Sequence, residues 1–126
     1  MVKILIVDDY QEIRNLYTDL LQKKGYMVEA VESAELGVKK ILQDGYDLVL
    51  LDLLMPEKDG LWVLDQIKNN LPQKSNCKIV IVSFIDDETT RGLIEKALIN
   101  GASAFLDKKT PLDDDFLKKI EEFLKK

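Results

Sequence analysis

The chain has no histidine and one cysteine, Cys77, in 126 residues. A lone cysteine cannot close an intramolecular disulfide, and a zinc site of the Cys/His kind cannot be assembled. A reducing compartment is the natural setting, so the expected location is cytoplasmic. Long apolar runs are also missing. No segment approaches the length that spans a bilayer, which argues against membrane insertion. The opening run, Val2 to Val7, is too short for the apolar part of a signal peptide and ends at Asp8-Asp9. Positive charge is not in excess. A net charge of −5 argues against a nucleic-acid-binding surface spread over the chain. No internal repeat, low-complexity tract or linker is visible.

What is present suits one domain over residues 1–126 with a sizeable core: 46% of residues are hydrophobic and 33% charged. Residues 2–7, 48–51 and 79–82 are apolar runs, as in strands buried on both faces of a parallel sheet. Residues 27–31 and 103–106 add a weaker second strand and a short fifth one. Glu29 within the second points to an edge position. Helical patterns lie between. Ile13, Leu16, Tyr17, Leu20 and Leu21 follow the i, i+3, i+4 spacing over 10–24, and Gly25 stops that helix. Ser33 caps a second helix with Val38, Ile41 and Leu42 inward. Asp59-Gly60 open a third with Leu64, Ile67 and Leu71 inward and Pro72 at its end, before a polar loop over 72–77. Asp86 or Asp87 caps a fourth carrying Ile94, Ala97 and Leu98, stopped by Asn100-Gly101. After Thr110-Pro111 a fifth places Phe116, Ile120, Phe123 and Leu124 on one face. Five alternations of strand and helix predict an α/β fold, a parallel sheet with helices on both faces.

In such a sheet the C-terminal strand ends share one edge, and ligands bind there. Here those ends read Asp8-Asp9, Asp52, Ser83 and Lys108. Each residue has a plain structural use. Asp52 suits a cap on the turn that runs through Met55-Pro56 and Asp59-Gly60. Asp9 suits a cap on the first helix, with Glu12 completing a capping box. Ser83 suits a turn, and Lys108 a solvated surface. As a group they are harder to dismiss, because three carboxylates on one edge repel unless a cation offsets them. With Lys108 counted, two negative charges remain, which one divalent cation balances. Oxygen donors select a hard ion, Mg²⁺, with Mn²⁺ as a substitute. Such a site, with a lysine, a hydroxyl and a central carboxylate, has the parts for phosphoryl transfer onto that carboxylate.

These residues resemble a response-regulator receiver domain, the phospho-acceptor half of two-component signalling. The resemblance covers essentially the whole chain. It rests on Asp8-Asp9, on Asp52-Leu53-Leu54-Met55-Pro56 through Asp59-Gly60, on Ser83, and on Gly101-Ala102 before Phe105-Leu106-Asp107-Lys108. It implies a single receiver domain with a flavodoxin-like (βα)5 fold, a doubly wound five-stranded sheet of order 2-1-3-4-5. It implies that Asp52 accepts the phosphoryl group, and that Asp8, Asp9, Asp52 and the Leu54 backbone carbonyl hold Mg²⁺. Lys108 would pair with Asp52 and then with a phosphoryl oxygen. Ser83 would bond the phosphoryl group, and Phe105 would turn inward as Ser83 moves. The chain would then be a signalling phospho-acceptor with self-catalysed transfer and dephosphorylation rather than an enzyme. The implied partners are a sensor histidine kinase or phosphotransfer protein and a downstream protein bound by the helix 4, strand 5, helix 5 face. A phosphorylation-dependent dimer is a further implied form, and no direct contact with nucleic acid is implied.

Two positions depart from the family pattern. Phe84 stands where a small residue usually leaves access to the acceptor; it either covers the acyl phosphate or points away onto the fourth helix. Lys109 replaces the usual proline after the lysine, and a cis bond there would cost about 3 kcal/mol, which favours a loop rebuilt in trans. These departures are the support for an alternative, a receiver-like interaction module that binds partners without phosphorylation. A flavin or nucleotide binder would want a glycine- or hydroxyl-rich loop after strand one, where Asp8-Asp9-Tyr10-Gln11-Glu12 is acidic. An aspartate-nucleophile phosphatase would want a second aspartate two residues on, where Tyr10 and Gln11 stand.

Overall fold

The apolar runs become five strands: β1 (Lys3–Val7), β2 (Met27–Val31), β3 (Leu48–Asp52), β4 (Lys78–Ser83) and β5 (Ala104–Asp107). They form one parallel sheet in the order β2-β1-β3-β4-β5. The structure, a computed structural model, describes residues 1–70 and 76–125. Helices α1 (Gln11–Lys23), α2 (Ala34–Gln43), α3 (Gly60–Lys68), α4 (Glu88–Ile99) and α5 (Asp114–Lys125) alternate with the strands.

Strand side chains point alternately to the two faces, and each face has its own core. Leu5, Val7, Val49, Leu51, Ile79 and Ile81 pack with residues of α2, α3 and α4. Ile4, Ile6, Leu48, Leu50, Val80 and Val82 pack with α1 and α5. There the Tyr17 and Phe116 rings stack at 4.8 Å. All five residues of β3 are buried. Each fully buried aliphatic side chain contributes roughly 1.5–3 kcal/mol, so this strand is firmly held. β2 lies at an edge, as Glu29 suggests. Its carboxylate meets Lys3 at 3.3 Å and Lys40 at 3.0 Å, and accepts a hydrogen bond from Tyr46.

Ser33, Asp59 and Asp87 cap α2, α3 and α4 through their side-chain oxygens, so the fourth cap is Asp87 and not Asp86. Leu16, Leu42 and Leu98, expected inward, are 48%, 41% and 41% exposed. A helix on a sheet buries only a stripe, and these residues sit at its rim. In α2 the stripe is Ala34, Gly37 and Ile41. A Cβ at Gly37 would come 2.9 Å from Val7 Cγ1, so this row lies closest to the sheet. α3 ends at Lys68 with Asn69 beyond it. The inward Leu71, the Pro72 stop and the loop up to Ser75 lie outside the described residues. α5 starts at Asp114 rather than just after Pro111, behind a turn in which the Asp115 N–H donates to Asp113 Oδ1.

Candidate functional site

β1 and β4 flank β3, so the loops after those two strands stand on either side of Asp52. Asp52 is the last residue of β3 and is 3% exposed. Asp8 follows β1 and is just as buried. Its N–H donates to the Val31 carbonyl, its Oδ1 accepts from the Tyr10 N–H at 2.9 Å, and its carbonyl accepts from Arg14 Nη1 at 2.7 Å. Lys108 follows β5, and its N–H donates to the Ser83 carbonyl. The Lys108 ammonium lies 3.0 Å from Asp8 Oδ2 and 3.2 Å from Asp52 Oδ1. The solvated surface role open to Lys108 is thereby overturned: two carboxylates draw its charge inward.

Burial, and then the charge of Asp8, push the Asp52 carboxyl up to about 7 against the opposing pull of Lys108. For Lys108 burial works against the charged form, but Asp52 and Asp8 outweigh it and hold the ammonium above the ordinary lysine range. Tyr17, in the layer beneath, is pushed up to about 12 by burial and by the same two carboxylates.

Asp9 does not cap α1. Tyr10 occupies the N-cap position without a side-chain cap bond, and Asp8 rather than Asp9 takes the Tyr10 N–H. Asp9 Oδ1 is instead buried without a hydrogen-bond partner among the described residues. Asp8, Asp9 and Asp52 each offer an oxygen, and these oxygens lie within 4.8 Å of one another. A buried carboxylate oxygen left unpaired is costly. Three hard oxygen donors around it fit a Mg²⁺-sized cation better than any softer metal.

The remaining predicted residues surround this cluster. Ser83 ends β4, is buried, and its hydroxyl donates to the Phe84 carbonyl over a long 3.3 Å. Leu54 is the second residue of the β3–α3 loop and is 52% exposed. Phe105 on β5 pairs in register with Ile81 and packs partly buried against the α2–α4 side of the core. Phe84 is 43% exposed, and its ring centroid lies 5.8 Å from the Lys108 ammonium, so it stays beside the site. No described peptide bond is cis. The loop at Lys109 runs in trans, with the Lys109 N–H donating to Asp107 Oδ1.

Two contacts escaped the sequence. Arg14 ties down the Asp8 carbonyl. A cation in the first turn of a helix opposes the helix dipole, and that was the available signal. Gly60 opens α3, as expected, but its Cα also presses on the end of β3. A Cβ there would lie 2.8 Å from the Asp52 carbonyl oxygen. A cavity of about 540 Å³ lies at the other edge of the sheet beside Asp47 and Cys77, away from Asp8, Asp9 and Asp52.

The family model described as response regulator receiver domain matches residues 4–121. The chain belongs to that family. It is 35% identical over 128 residues to the chemotaxis protein CheY of Treponema pallidum, covering 98% of this chain and 83% of that one. It is 36% identical over 89 residues to the transcriptional regulatory protein ResD of Bacillus subtilis, covering 71% of this chain and 35% of ResD. Against such longer transcriptional regulators the chain spans a third to a half of their length. Among solved structures, a CheY-like receiver domain protein from Methanospirillum hungatei superposes with a TM-score of 0.84 at 28% identity, covering 99% and 94% of the two chains. The response regulator TrrA from Thermotoga maritima, solved in complex with Mg²⁺-BeF, gives 0.77 at 29% identity, covering 98% and 99%. Among the described residues, no helix is long and apolar enough to cross a membrane.

Proposed function

We propose that this receiver accepts a phosphoryl group on Asp52 from a phosphohistidine of a sensor histidine kinase or phosphotransfer protein, in a Mg²⁺-dependent reaction. The observation that carries this reading is the buried Asp52–Lys108–Asp8 ion cluster beside an Asp9 oxygen that has no hydrogen-bond partner among the described residues. An Asp52 carboxylate oxygen attacks phosphorus and the P–N bond to the donor imidazole breaks. The electron pair returns to the ring nitrogen, which takes up a proton. Asp8, Asp9, Asp52 and the Leu54 carbonyl are the residues that would hold Mg²⁺, which neutralises phosphoryl oxygen charge when bound. The related TrrA structure with Mg²⁺-BeF supports that assignment.

Formation of the acyl phosphate removes the carboxylate charge that Asp52 presents to Lys108, and the ammonium then pairs with a phosphoryl oxygen. Ser83 exchanges its long bond to the Phe84 carbonyl for one to the phosphoryl group. As Ser83 moves, Phe105 follows into the space beside β4. The α4, β5, α5 face then changes shape, and a downstream protein reads it. Phe84 regulates access to the acceptor. Hydrolysis of the acyl phosphate, also supported by the receiver's own residues, resets the switch.

The test is intact mass after incubation with a small phosphoryl donor, with and without Mg²⁺, on the wild type and Asp52→Asn. A Mg²⁺-dependent, base-labile gain of one phosphoryl group that is absent from the variant is expected. No gain from small donors or from a panel of kinases would overturn the reading. It would leave a module that binds without phosphorylation, the reading favoured by the position of the Phe84 ring.

A further inference from the structure

The Lys108 side chain is only 4% exposed, yet it lies at the open edge of the sheet, held by Asp8 and Asp52. Two rings stand beside its ammonium. Tyr10 stands with its centroid 6.0 Å from the ammonium and Phe84 with its centroid 5.8 Å away. Both rings are themselves well exposed, at 65% and 43%, so they form the outer layer and Lys108 the inner one. Tyr10 belongs to the loop after β1 and Phe84 to the loop after β4, the strands on either side of β3. The rings therefore reach the ammonium that pairs with Asp52 from loops on either side of β3. The two carboxylates take two of the three N–H donors of the ammonium, and both rings lie within cation–π range of its charge. Large exposed aromatic groups that add nothing to either core call for another use.

We propose that Tyr10 and Phe84 are a two-ring cover that seats Lys108 and shields the phosphoryl group on Asp52 from water. This rests on the reading of Asp52 as the acceptor. In hydrolysis a water oxygen attacks phosphorus, and the bond between phosphorus and the Asp52 carboxyl oxygen breaks. The carboxylate reforms, and inorganic phosphate and a proton leave. A cover that keeps water from the attacking side slows this step, and it slows uptake from small donors in the same way. Tyr10 and Phe84 are positioning residues here, since they act through Lys108 and through exclusion of solvent.

The experiment has two arms on the folded full chain: wild type, Tyr10→Ala, Phe84→Ala, the double variant and Tyr10→Phe. In the metal-free protein, lysines are acetylated with acetic anhydride and followed by peptide mass. Lys108 should react about tenfold faster in the double variant once the rings no longer exclude reagent. Lys78, whose ammonium is held by the Phe123 and Leu124 carbonyls, should not change. In the second arm, protein phosphorylated with acetyl phosphate and Mg²⁺ is freed of donor and its loss of mass timed. The double variant should lose the phosphoryl group about tenfold faster, the single alanine variants should fall between, and Tyr10→Phe should match the wild type. Unchanged Lys108 labelling in the double variant overturns the cover. Faster labelling with unchanged hydrolysis overturns its protective role. Failure of every protein to take up phosphate, with the labelling result intact, defeats the acceptor reading and leaves the cover standing.

Discussion

Lys108 Nζ reaches Asp52 Oδ1 at 3.2 Å although their strands are not neighbours, for β4 runs between β3 and β5. Two strand spacings amount to about 10 Å, which the four-carbon arm of lysine, the shorter aspartate side chain and the contact between them span together. The arm passes the end of β4, where Ser83 is small and buried and its carbonyl accepts the Lys108 N–H. Length at one position and smallness at the other are thus one requirement.

Asp52 makes the metal-free fold pH-sensitive. Its carboxyl titrates near 3.8 when unperturbed and near 7 in the fold. Between those values the fold keeps a proton that the unfolded chain has lost. The contribution to stability is therefore fully present below about pH 4 and is lost as pH rises through about 7. Asp52→Asn should gain on the wild type by about 2 kcal/mol between pH 5 and 8, measured by urea unfolding in chelator. Saturating Mg²⁺ should shrink that gain. A difference flat with pH would mean that Asp52 is ionised throughout.

Removing Lys108 strands two buried carboxylates. Lys108→Met should cost about 3 kcal/mol at pH 8 without metal, the usual penalty for breaking a buried pair. Less should be lost at pH 5, where Asp52 takes up a proton instead. Equal losses at the two pH values would assign the cost to lost packing of the lysine stem.

Gly60 tests how closely α3 must approach the end of β3 at Asp52. Gly60→Ala places a methyl group 2.8 Å from the Asp52 carbonyl oxygen and 3.1 Å from Leu53 Cα. Backbone cannot yield as a flexible side chain would, so a loss of about 1–3 kcal/mol in thermal or urea unfolding is expected. The Asp52 amide resonance should also shift. A stable variant with unmoved resonances would show slack in this junction.

Most of the fold was legible because its signals are local. Apolar runs, the Ser33 and Asp59 caps, and the glycine stops follow from neighbours a few residues apart. The rims of the helices were less legible. Leu16, Leu42 and Leu98 fit a helical period, but only the sheet beneath decides which part of that stripe is covered. The strand order came from the family resemblance, since no periodicity in a buried apolar strand says which strand lies beside it.

The candidate site divides in the same way. The order of residue types along the chain determined that carboxylates, a hydroxyl and a lysine would end successive parallel strands, because all C-terminal ends of such a sheet share an edge. Only the tertiary structure decided that Asp8 turns to its own loop and to Lys108 while an oxygen of Asp9 is left without a partner among the described residues. It alone brought Tyr10 and Phe84, far apart in sequence, to the same ammonium. Those outcomes depend on distances across the sheet, and distances across a sheet are set by packing rather than by any local pattern.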